Sequence, residues 1–169
     1  MKKAKKLLPP ILALLILAVI AFFAWRVYSA YQKDTLYKAI NQAWQQANDK
    51  DTPEYLKYLD KHSKFKITSI EEGEPLVLNV TVRGVDVAGE LRKIDPLAFD
   101  LDMDEEELND YLISLAKQAG STEVSTIIYA WPEENGTYRI QFSETFIDAM
   151  SGMVYSYVQE LINELTGGI

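Results

Sequence analysis

Cysteine is absent from this 169-residue chain, and histidine occurs once, at His62. The first absence excludes a disulfide scaffold, a thiolate metal site, a lipid-attachment cysteine and a cysteine nucleophile. The second removes most histidine-based metal and triad chemistry. Positive charge is scarce too, with 17 Lys and Arg against 25 Asp and Glu. What is plentiful is apolar side chain: the composition is 48% hydrophobic and 25% charged, so a real core can be buried. The length suits about one domain once a terminal segment is set aside.

The scarce cations are unevenly placed. Lys2, Lys3, Lys5 and Lys6 precede an uncharged run of 19 residues, Leu7 to Trp25, which ends at Arg26. A helix rises 1.5 Å per residue, so about 20 apolar residues cross a hydrocarbon core of roughly 30 Å. A lysine at the bilayer centre costs about 2.5–3.5 kcal/mol, and this run holds none. The lysine cluster predicts a cytoplasmic N-terminus, Trp25 and Tyr28 suit the far interface, and Pro9 and Pro10 suit a first helical turn. The expected organisation is a cytoplasmic tip and transmembrane anchor over residues 1–29, followed by an extracytoplasmic α+β domain over residues 30–169. A cleaved signal peptide is the alternative, leaving a secreted domain; its best small-x-small match, Val27-Tyr28-Ser29, is poor.

Residues 1–29 carry five positive charges and no acid, which leaves the rest at 12 basic against 25 acidic, net −13. Residues 30–93 hold ten of each sign, whereas residues 94–169 hold only Lys117 and Arg139 against 15 acids. Phosphate would repel this half, so nucleic acid is not an expected partner. An anionic membrane would repel it as well, and it is expected to face away from the bilayer.

Along the domain, Leu36, Ile40, Ala43, Trp44 and Ala47 recur at helical spacing, predicting a helix from Arg26 to about Ala47, continuous with the anchor or separate from it. Thr52 as cap, Pro53 at the first position and Glu54 as early acid open a second helix that runs to about His62. The period then changes to two: Phe65, Ile67 and Ser69 alternate with Lys64, Lys66 and Thr68. After Glu71-Glu72-Gly73-Glu74-Pro75 the residues Leu76, Leu78, Val80 and Val82 share a face, making a hairpin. Residues 90–103 give no clear pattern. Asp102 or Asp104 caps a helix that Gly120 stops. A second hairpin joins Val124–Trp131 to Thr137–Ser143 through a loop ending in Asn135-Gly136. One final helix, Phe146 to Leu165, is apolar on more than one stripe and needs cover on two sides, from the sheet or partly from a protein partner.

The fold class is therefore α+β, a curved antiparallel sheet of two hairpins packed with helices. The segments Ala43–Asp51, Phe65–Ile70, Val85-Asp86-Val87 and Phe146–Gly152 carry a resemblance to the cystatin-like cone of the nuclear-transport-factor-two type, in particular to its membrane-tethered or lipid-anchored bacterial envelope members. That resemblance implies N-terminal helices lying across a curved sheet, and a fold that hosts enzymes and non-catalytic binding domains alike. Two departures are a helical insertion between the hairpins and the added C-terminal helix. A ferredoxin-like module is the rival architecture.

Candidate chemistry is thin. Asp100, Asp102 and Asp104 alternate as in a calcium loop, but Glu105 stands where Gly is needed and Tyr111 where a bidentate Glu is needed, so no metal site is assigned. His62 sits among Lys57, Lys61, Lys64 and Lys66 and reads as a helix-end residue. Tyr129, Trp131 and Tyr138 in the second hairpin are candidates for stacking on a ligand or sugar ring, and Arg83 with Asp86 for a charged pocket. No cofactor and no catalytic residue is expected. The function expected is a single-pass, membrane-anchored binding or interaction module; a small pocket enzyme and a scaffold subunit of an envelope complex are the alternatives.

Overall fold

The computed structural model describes residues 8–48, 52–94 and 103–166, with side-chain surroundings from Leu17 onward and Leu165 excepted. The described elements are α1 (Leu8–Ala47), α2 (Glu54–His62), β1 (Lys64–Glu71), β2 (Leu76–Val85), α3 (Val87–Leu91), α4 (Glu105–Gln118), β3 (Ser121–Pro132), β4 (Tyr138–Phe142), α5 (Glu144–Met150) and α6 (Val154–Leu165). The α+β class holds. The four strands form one antiparallel sheet in the order β1-β2-β3-β4.

Helix α1 is a single run of 40 residues, about 60 Å long. It changes character midway. Leu36 and Ile40 are fully buried, whereas Leu17, Val19, Ile20, Phe22, Phe23, Trp25, Val27, Tyr28 and Tyr31 are each more than half exposed. Among the described residues no helix is both long enough and apolar enough to cross a membrane. A stretch of bilayer length begun at Leu17 takes in Arg26, Lys33 and Asp34. The rest of the expected anchor, residues 1–16, lies outside the described side chains.

The domain half of α1 crosses the sheet. Tyr37 stacks on Phe65 of β1 at 5.5 Å, and seven residues later Trp44 meets Phe142 of β4 edge-on at 5.4 Å. In that interval the axis traverses the sheet from one edge strand to the other, so the N-terminal half of α1 leaves past the β1 edge. Trp44 also donates its indole N–H to Asp60 Oδ1 at 2.6 Å, tying α1 to α2.

Period-two patterning sets the inner face. Leu76, Leu78, Val80 and Val82 of β2 are buried with Ile128 and Ala130 of β3. Over them lies an aromatic cluster centred on the fully buried Phe146: Phe142 stacks on it at 5.0 Å, and Trp44 and Phe65 approach edge-on at 5.6 and 5.8 Å. The space between the sheet and its helices is filled by rings. Helix α5 also presses on β2 at Gly84, where a Cβ would fall 2.5 Å from the Ala149 carbonyl oxygen. A second core joins Leu59, Val85, Val87, Ala88, Leu91, Leu115, Ala116 and Tyr157 beyond the strand ends.

Three expectations change. The single helix from Phe146 to Leu165 is two, because Gly152 and Met153 adopt φ of 80° and 62°, which breaks the helical path. Gly152 is held against Val87 and Leu59, where a Cβ would meet Val87 Cγ2 at 2.8 Å. Helix α3 was not expected: Asp86 caps it by accepting the Gly89 N–H at 2.9 Å. Thr52 does not cap α2; Pro53 holds that position without a side-chain bond. The cap of α4 is Asp104, in a reciprocal box with Glu107, while residues 100–102, including Asp102, lie outside the described residues.

Candidate functional site

The β3–β4 register decides which of the hairpin aromatics can act together. Tyr129 pairs with Gln141, Trp131 with Arg139, and Pro132 with Tyr138. Alternation therefore sends Tyr129 and Trp131 to the outer face of the sheet and Tyr138 to the inner one, where it packs on the core. The Tyr129 and Trp131 rings lie 6.2 Å apart, tilted by 44°, and the Arg139 guanidinium sits 4.9 Å above the Trp131 ring. Asn79 on the same face donates to Ser69 Oγ at 3.0 Å and Glu71 Oε1 at 2.7 Å. The outer face thus offers two rings, a cation and amides. Arg139 and Gln141 were not singled out from the sequence, although the period-two pattern with a fixed hairpin register points to them.

Arg83 and Asp86 do not pair. Asp86 is occupied as the α3 cap. Arg83 reaches toward Ser121 Oγ at 3.4 Å, and in the ladder it lies between Lys64 on one side and Glu123 on the other. His62 stacks on Tyr58 at 4.1 Å, with its Nδ1 2.7 Å from the Tyr58 carbonyl oxygen, as a helix-end residue does. Among the described residues no group of acids and histidine is placed to hold a metal ion.

A buried carboxylate beside a tyrosine lies where α5 meets α6. Asp148 is 4% exposed and accepts the N–H groups of Tyr155, at 2.9 Å, and Ser156, at 3.3 Å, together with the Ser156 hydroxyl. It caps α6 from the preceding helix. Tyr55 donates its hydroxyl to the Ser151 carbonyl oxygen at 3.1 Å; burial, and after it the Asp148 charge, push its phenol up to about 12. Glu144, Ile147, Asp148, Ser151 and Tyr155 line a depression of 260 Å³ over this junction. Asp148 spends its oxygens on α6 backbone and the Ser156 hydroxyl, and Tyr55 its hydroxyl on backbone, so the junction holds two helices together.

From the rim of that depression along α6, Ile147, Tyr155, Val158 and Ile162 remain exposed, by 42–58%. The last three recur at helical spacing, a stripe along α6 with no cover among the described residues. The apolar part of α1 is the other run of exposed hydrophobic side chains described. No known protein family, curated protein or solved structure matches the chain.

Proposed function

We propose that this chain is a non-catalytic binding or interaction module, held at the outer face of a bacterial cytoplasmic membrane by one N-terminal helix with its N-terminus inside. The observation that carries this reading is the division of α1: one unbroken helix whose apolar side chains from Leu17 to Tyr31 are exposed and whose later part crosses the sheet and supplies Leu36 and Ile40 to the core. Exposed apolar side chains along several turns cost free energy in water, at about 25 cal/mol per Å². Lipid removes that cost, and in the sequence the uncharged run from Leu7 to Trp25 has bilayer length. A tether continuous with the core holds the domain at a set orientation. We also read the sheet and its crossing helices as a variant of the cystatin-like cone, its interior filled by rings.

The scaffold reading draws support from the exposed stripe on α6, a face suited to a protein partner. In the test, membranes from cells producing the full chain are washed in alkaline carbonate and floated on a density gradient. Retention in the floating fraction is the expected result; release into the wash overturns the tether.

A further inference from the structure

We propose that the corner of the domain from which α1 departs, formed by Lys61, Lys64, Lys66 and Arg83, docks on anionic phospholipid headgroups. This rests on the tether reading and adds to it the face that the domain turns toward the lipid.

The geometry begins with Tyr37. Its ring lies on Phe65, between Lys64 and Lys66 in the sequence, and its hydroxyl accepts the Ile67 N–H at 2.8 Å. Helix α1 therefore leaves the domain over the basic end of β1. From Tyr37 back to Trp25 is a rise of about 18 Å. The headgroup layer takes up roughly 5–7 Å of that on each side of the bilayer, and a tilt of about 20° brings one side of the domain lower. The gap left is close to the Debye length of about 8–10 Å, so extended lysines at this corner lie within the field of the headgroups.

The charges there are unspent. All four side chains belong to exposed residues, and among the described residues none forms an ion pair. Of the acids on α2, Glu54 holds Lys57, while Asp60 accepts the Trp44 indole N–H and keeps its charge, so the four cations outnumber it at this corner. Glu123 stands opposite Arg83 in the ladder. Lys64 stands directly across the ladder from Arg83, a like-charge pairing that disfavours the sheet unless an anion lies against it. Lysines on an edge strand also deter sheet-to-sheet pairing. Arg83 on an inner strand and Lys61 on α2 have no part in that role. β1 ends at Glu71, with Glu72 next to it, so the strand has a positive end and a negative end, and an anionic surface would orient it.

The test uses the full chain, whose lack of cysteine lets a single introduced thiol take one fluorescent donor. H62C reports the basic end and E72C the acidic end, with an acceptor on a headgroup lipid. In vesicles containing anionic phospholipid, the donor at position 62 is expected to transfer more than the donor at 72. High salt and neutral vesicles should remove that difference. Each cation contributes about fivefold to the docked ratio, so K64Q/K66Q lowers it by about thirtyfold. Equal transfer in anionic and neutral vesicles, or greater transfer from position 72, overturns the docking. A chain that fails to enter vesicles gives no transfer from either probe and overturns the tether itself. A response to soluble polyphosphate with none to vesicles assigns the corner to a soluble polyanion, against the proposal.

Discussion

The Tyr37 hydroxyl accepts the backbone N–H of Ile67 at 2.8 Å, and through this bond the crossing helix is fastened to the edge of the sheet. Ile67 is 3% exposed and lies at the bulge in β1, where the ladder shifts register before Ser69. Its N–H has found a partner in the one element that also carries the apolar segment.

Removing that hydroxyl leaves a buried donor unpaired. Tyr37→Phe should destabilise the domain by about 1–3 kcal/mol while keeping the ring contact with Phe65. Urea unfolding in detergent, followed by tryptophan fluorescence, checks it; an unchanged midpoint would show that the bond does not matter.

Asp148 is the hinge pin between the last two helices. In Asp148→Ala the N–H groups of Tyr155 and Ser156 lose their acceptor, and the expected cost is about 1–2 kcal/mol. Amide hydrogen exchange should accelerate over residues 154–160 more than over β2 and β3. Uniform acceleration across the sheet would contradict a local cap.

How much of this was legible beforehand depends on the range of the signal. Both hairpins, α2, α4 and the buried face of β2 follow from local periodicity and turn chemistry, and Asp104 was one of two caps expected. The break at Gly152-Met153 was hidden because Phe146 to Leu165 keeps a helical apolar pattern throughout. What breaks it is tertiary: Gly152 must sit against Val87 and Leu59. Tyr129, Trp131 and Tyr138 looked like one cluster, and only the pairing of Pro132 with Tyr138 sends the third ring to the other face. Arg83 and Asp86, three apart in sequence, separate because one lies within a paired strand and the other caps a helix.

Tyr55 gives a pH dependence of known sign. Its phenol is raised from an ordinary value of 10.0 to about 12, by burial first and then by Asp148. The folded form therefore keeps its proton while the unfolded chain releases it. The stability tied to Tyr55 is whole below pH 10 and is lost as pH rises toward 12. The difference in stability between wild type and Tyr55→Phe, measured by urea unfolding, should change across that window. A constant difference would mean that Tyr55 ionises as freely in the fold as outside it.

The membrane orientation is the claim on which the remainder rests, and the cysteine-free chain allows it to be read one position at a time in living cells. Full-length K3C and E134C variants are treated with a membrane-impermeant maleimide before and after permeabilisation. Position 134, on the exposed β3–β4 loop, should label in intact cells, and position 3 only once the membrane is opened. Labelling of position 3 in intact cells, or protection of position 134, would contradict a single span with the domain outside.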